Sequence, residues 1–176
     1  GNNTFYNQIN ELEPGTIIKI SKGKTEKNKF FDINNIKETQ ISEDDAVGRI
    51  KHLFKKSIKR HLISDVPVGI FLSGGIDSSA ITAYASKISN KKLKTFSVGF
   101  DYNKGINELS LAAKIANKFG TEHNEIHIKG NNLIDTIESL VIAHDEPFGD
   151  AADIPLFLLS KKIKGNVKVV LQGDGG

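Results

Sequence analysis

The sequence predicts an α/β domain built on a doubly wound parallel sheet, preceded by a β-hairpin. From residue 66 onward, short apolar or β-branched runs alternate with segments of helical spacing. Val167 to Leu171 is almost wholly apolar, as suits a strand covered on both faces. Glycine-rich turns follow two of the strands directly, at Ser73–Ser79 and Gln172–Gly176, where open parallel sheets hold their ligands.

The elements follow in order. Glu13-Pro14-Gly15 is a turn signal; Thr16 to Ile20 and Lys29 to Ile33 read as the two arms of a hairpin around a Lys/Gly-rich turn. An isolated hairpin is marginal in water, so this one must pack on something. Ser42 caps a helix whose first turn holds Glu43, Asp44 and Asp45, and Val47, Ile50, Phe54, Ile58 and Leu62 form its apolar stripe to about His61. Strands are expected at Val66–Leu72, Leu93–Phe100, Glu125–Ile128 and Val167–Leu171. Helices are expected at Ser79–Ile88, Glu108–Phe119, Leu133–Ala143 and Ile154–Ile163. In the helix from Glu108, Leu111, Ala112, Ile115, Ala116 and Phe119 read as the inward face, with Gly120 as the stop.

Composition excludes several functions. The chain has 176 residues, 38% hydrophobic and 26% charged, a globular mixture with enough apolar surface for a core. No apolar run approaches the ~18–20 residues of a membrane span, and the first residues show no signal-peptide pattern. Without cysteine, these residues hold no disulfide, thiolate metal site or catalytic thiol, which fits a cytoplasmic setting. The absence of Met and the glycine-rich last residues are those expected of a fragment or processed chain. The net charge of +3 invites a nucleic-acid reading, but only Arg49 and Arg60 are arginines, and the lysines are scattered as on a solvated face. Neither a nucleic acid nor a membrane is expected as partner.

Leu72-Ser73-Gly74-Gly75-Ile76-Asp77-Ser78-Ser79 joins a buried strand to a helix. Paired glycines permit a sharp turn and close approach to a ligand. A helix starting at Ser78 and Ser79 presents unpaired N–H groups to an anion, and the hydroxyls of Ser73, Ser78 and Ser79 add donors. Asp77 repels phosphate unless a cation lies between them, so it implies Mg²⁺. The loop lacks the Gly-Lys-Ser/Thr element of a Walker P-loop and the spacing of a dinucleotide fingerprint. A strand–helix turn in which Ser and Asp merely cap the helix is the plainer alternative. If the strands before the two glycine-rich loops are neighbours, Gly173 and Asp174 reach the same ligand.

Ser73 to Ser79 resembles the PP-loop of the ATP pyrophosphatase superfamily, which splits ATP into AMP and pyrophosphate. Ser64 to Gly69, Thr95 to Phe100, Gly120 to His123, Glu146-Pro147 and Val169 to Gly176 narrow the resemblance to glutamine-dependent asparagine synthetases of the bacterial type. Ile9 to Gly15 and Phe30-Phe31-Asp32 resemble the last hairpin of that family's glutaminase domain, with Phe31 where Trp is usual. The resemblance implies residues 1–40 as that hairpin and linker, and 41–176 as a PP-loop synthetase domain truncated at its C-terminal end, with the adenine nucleotide α-hydrolase-like fold. The glutaminase nucleophile, an N-terminal Cys, is absent from these residues.

By the same resemblance, Ser73, Gly74, Gly75, Asp77, Ser78 and Ser79 hold pyrophosphate, with Asp77 on Mg²⁺. Phe71, Leu72, Val98, Gln172 and Gly173 line the adenosine pocket. Glu108 and Asp174 match acidic positions near the nucleotide and acyl-adenylate, although Glu108 also reads simply as a helix N-terminal acid. His61, His123, His127 and His144 read as packing or surface residues. The implied reaction is amidation of a carboxylate through an acyl-adenylate: aspartate to asparagine, with ATP as co-substrate and ammonia from glutamine. A homodimer is compatible with it. Asp150-Ala151-Ala152-Asp153 stands where many asparagine synthetases carry Ile-Arg-Ala-Ser, which leaves a sugar acid or another acid open as acceptor. Another PP-loop synthetase, or a nucleotide-binding regulatory module without turnover, are the competing readings. All of them require Asp77 to point away from the apolar interior and both loops to share one rim of the sheet.

Overall fold

The computed structural model describes residues 2–100, 108–128, 133–150 and 152–173. The chain forms two compact units, Gly1–Ala46 and Val47–Gly176.

In the first unit, β1 (Thr16–Ser21) pairs antiparallel with β2 (Lys24–Lys29), from Thr16↔Lys29 to Ser21↔Lys24. The hairpin exists as expected, but its second arm lies five residues earlier. Lys22 (φ 49°) and Gly23 (φ 74°) form a two-residue turn with left-handed backbone at both positions, which matches the twist of the flanking strands. Lys24 onward is thereby drawn into the ladder, and Phe30 and Phe31 fall beyond it, their N–H groups both donating to the Gly15 carbonyl (2.8 and 3.2 Å). Gly15 has φ 69°, and a Cβ there would lie 2.2 Å from the Phe31 oxygen, so this crossing requires glycine. Lys27 donates to Glu13 at 2.9 Å and holds its carboxyl below the usual range; Lys29 does the same to Asp32. Ile17, Ile20, Phe30 and Phe31 are exposed within this unit.

Helix α1 (Glu43–His61) starts at Ser42, whose hydroxyl accepts the Asp45 N–H (3.2 Å) and donates to the Asp45 carboxylate (2.7 Å), a reciprocal cap. Then follow β3 (Val68–Phe71), α2 (Ile76–Ile88), β4 (Lys94–Phe100), α3 (Glu108–Phe119), β5 (Glu122–Ile128), α4 (Leu133–His144), α5 (Asp153–Ile163) and β6 (Val169–Leu171). The four strands of this second unit are all parallel, in the order β5-β4-β3-β6. The chain steps outward from β3 through β4 to β5, then returns to place β6 on the other side of β3. Winding therefore reverses between β3 and β6, the switch point of a doubly wound sheet.

Side chains alternate across the sheet as a period of two demands. Ile70 packs with Ile58 of α1 and with Ile81 and Ala85 of α2, and Leu72 packs with Ala112 and Ala116 of α3. Phe71 and Phe96 point to the other face, against Leu159 and Ile163 of α5 and Val167. Gly69 makes room there: a Cβ would sit 2.7 Å from the Phe96 ring and 3.3 Å from Val167.

Two expectations need correction. Along α3 the buried stripe is Leu109, Ala112 and Ala116, and Leu111 is exposed, because the helix turns its 109–112–116 edge to the sheet. Val169 is exposed rather than covered on both sides: Val167, Val170 and Leu171 pack into the core clusters and Val169 does not. No helix among the described residues is long and apolar enough to cross a membrane.

Candidate functional site

β3 and β6 are adjacent and parallel, so the turns that follow them leave the same edge of the sheet. A Cβ on Gly173 would lie 3.0 Å from the Asp77 Cβ and 3.5 Å from Ile81, so the two glycine-rich segments touch. A side chain at Gly173 would have to push the Asp77 side chain aside by a few tenths of an ångström.

Helix α2 begins earlier than its hydroxyls suggest. Gly75, extended at φ −68° and ψ 167°, is the N-cap, and the Ser79 N–H is already bonded to the Gly75 carbonyl at 3.1 Å. The first N–H groups of a helix lack intrahelical acceptors, so Ser78 keeps the donor expected of it, the exposed Ile76 and Asp77 add theirs, and only the Ser79 N–H is already taken. The hydroxyls have internal work. Ser78 Oγ is buried, lies 3.0 Å from Ser73 Oγ, accepts the Ser73 N–H (3.3 Å) and donates to the Gly75 carbonyl. Ser79 Oγ donates to that same carbonyl, and Ser73 Oγ accepts the Gly75 N–H. The turn is thus stitched into one shape before any ligand arrives. Gly74 has φ 85° and is pressed against α3, where a Cβ would come within 2.9 Å of Leu111 Cβ.

Beside this turn lies a cleft of about 220 Å³ lined by Phe71, Leu72, Ser73, Ser78, Val98, Glu108, Gln172 and Gly173, together with Phe96, Ser97, Leu109 and Leu159. The first eight are sequence candidates that the fold brings together. Asp77 is exposed and lines a neighbouring groove that shares Gln172 and Gly173. Gly74, Gly75 and Ser79 shape the turn without lining the cleft, and Asp174 lies outside the described residues. The last four lining residues were not singled out from sequence. Ser97 carried a signal nonetheless: a hydroxyl in a strand covered on both faces needs a buried partner.

The histidines stand apart from the cleft lining. His61 Nδ1 lies 2.9 Å from the Ser57 carbonyl, and His144 stacks on Phe148. His127 is exposed. His123 is mostly buried, with Nδ1 3.0 Å from Thr95 Oγ1, and burial pushes its imidazole below the ordinary value against a weaker upward pull from Glu125. Among the described residues, no group of three or more His, Asp or Glu side chains is arranged to hold a metal ion.

A glycine–serine turn at the switch point of a parallel sheet defines an α/β protein with its ligand crevice at the strand ends. The comparisons make the class specific. The family model for asparagine synthase matches residues 49–176, and the chain belongs to that family. Asparagine synthetase [glutamine-hydrolyzing] 1 of Bacillus subtilis is 36% identical over 172 residues, covering 98% of this chain and 27% of that protein. Asparagine synthetase B [glutamine-hydrolyzing] of Escherichia coli is 34% identical over 163 residues, covering 83% of this chain and 28% of that protein. The chain therefore spans little more than a quarter of the length of these curated relatives. Among solved structures, the NH3-dependent NAD synthetase of Campylobacter jejuni overlays with a TM-score of 0.46 at 14% identity, covering 70% of this chain and 54% of that one.

Proposed function

We propose that the protein containing this chain is a cytoplasmic ATP-dependent ligase that forms a C–N bond, converting aspartate to asparagine with ammonia from glutamine. The observation that carries the reading is the meeting of the Ser73–Ser79 turn with Gly173 beside one cleft, at the switch point of the sheet.

A carboxylate is a poor acyl donor. In the proposed reaction its oxygen attacks the α-phosphorus of ATP, the bond to the β-phosphate oxygen breaks and pyrophosphate leaves. Ammonia then attacks the acyl carbon and AMP departs with the bonding electrons. The Ile76 and Asp77 N–H groups and the start of α2 would receive the diphosphate, while Phe71, Leu72, Val98, Gln172 and Gly173 would wall the adenosine. Glu108, exposed at the cleft margin, and Asp174 are the acidic groups assigned to the adenylate end. Asp77 fits a Mg²⁺ ion: one exposed carboxylate beside a phosphate cradle is the usual protein share of such a site, the rest coming from phosphate oxygens and water. When bound, Mg²⁺ supplies neutralisation of charge on the leaving diphosphate. The chain's own contribution is chiefly orientation and charge stabilisation.

The same proposal assigns residues 1–40 to the closing hairpin of a glutaminase domain, whose body would cover Ile17, Ile20 and Phe30, and residues 41–176 to the synthetase domain. The test is exchange of labelled pyrophosphate into ATP by the full-length protein. Aspartate is expected to support exchange, and nicotinate adenine dinucleotide and xanthylate are not. Exchange with a sugar acid but not aspartate would move the acceptor to that class; exchange with either nucleotide substrate alone would overturn the reading.

A further inference from the structure

The bonds within the Ser73–Ser79 turn fix its shape but not its position relative to the cleft. Position is set where the chain leaves β3. The register Gly69↔Lys94, Ile70↔Thr95, Phe71↔Phe96 sets Leu72 opposite Ser97. The Leu72 N–H donates to the Phe96 carbonyl at 2.9 Å, continuing the ladder. Its carbonyl, however, accepts the hydroxyl of Ser97, where a regular parallel ladder would offer a backbone N–H. Both polar groups of Leu72 are therefore held by consecutive residues of β4, and Leu72 is 1% exposed and Ser97 3%. The next residue, Ser73, begins the turn, and Ser97 itself lines the cleft.

We propose that Ser97 is a positioning residue for the nucleotide turn: through the Leu72 carbonyl it fixes where Ser73 and Gly74 stand against the first turn of α3. This rests on the nucleotide reading above. A hydroxyl bond to a buried carbonyl is an orientational device, and its loss removes the partner of a carbonyl whose residue is 1% exposed.

Thr95 provides the comparison. It lies two residues earlier on the same face of β4, is fully buried, and bonds Thr121 Oγ1 (2.9 Å) and His123 Nδ1 (3.0 Å) away from the turn. In the full-length protein, binding of α,β-methylene-ATP with Mg²⁺ is measured by calorimetry beside the melting temperature. Ser97→Ala is expected to weaken binding about tenfold, Ser97→Thr to restore it to within about threefold, and Thr95→Val to lower the melting temperature with binding changed less than about twofold. If Ser97→Ala fails to fold, Ser97→Cys, of similar size with a weak donor, is read instead. Binding by the Ser97 variant equal to wild type, or an equal loss in Thr95→Val, overturns the inference and leaves the nucleotide reading standing. If wild type binds no nucleotide, both fall.

Discussion

Asp77 is the residue on which a metal role can be separated from a shape role. Its carboxylate is exposed beside a turn that otherwise favours anions, so without a cation it should oppose a triphosphate. Asp77→Asn keeps the size and removes the charge. The expected outcome is loss of most of the Mg²⁺ dependence of ATP binding, with affinity in chelator unchanged or improved, and AMP formation reduced by about two orders of magnitude. An unchanged Mg²⁺ dependence would remove the ion from Asp77. His123 gives a prediction of another kind. Burial lowers its folded pKa, so below the unfolded value of about 6.5 the unfolded chain binds more protons than the folded one. This site's contribution is therefore complete above that value, declines as the pH falls below it, and levels off beneath the folded pKa. Melting temperatures at pH 7.5 and 5.5 should fall in wild type and fall less in His123→Gln; equal falls would show that His123 is not the group responsible.

At the scale of elements, β3 depends on the absence of a side chain. A Cβ on Gly69 would meet the Phe96 ring at 2.7 Å, and that ring is 2% exposed with little room to move. Gly69→Ala should cost about 1–3 kcal/mol by urea denaturation, while Gly23→Ala, with nothing within 4 Å but a left-handed backbone, tests turn strain alone. A neutral Gly69→Ala would mean that the Phe96 pocket relaxes freely.

The same contrast separates what was readable in the sequence from what was not. Strand–helix alternation, the Ser42 cap and the Gly-Gly turn are local signals, and each marked its element to within a few residues. The hairpin arm was misplaced because the left-handed Lys22-Gly23 pair, rather than the hydrophobic Phe30-Phe31 run, fixes its register. Leu109 was missed because helical spacing admits neighbouring stripes, and only packing against β4, where Gly99 leaves space for its side chain, chooses between them. The Ser73–Ser79 turn was legible because its chemistry is contiguous. Ser97, Leu109 and Leu159 reach the cleft from β4, α3 and α5, and nothing local announces that convergence.

For the whole molecule, the pairing of Val68 with Val169 has a consequence in time. A ribosome delivers β3 and its glycine turn long before β6 exists, so the nascent domain carries one jaw of its crevice and must wait for the other. Contacts so distant along the chain close slowly, and until they close β3 has an unguarded edge. A chain stopped after Lys168 should retain helix by circular dichroism yet retain no MgATP at millimolar concentration; tight binding by that shortened chain would mean that one jaw suffices. With both jaws needed, acquisition of ligand would wait on β6, however early the glycine turn after β3 emerges.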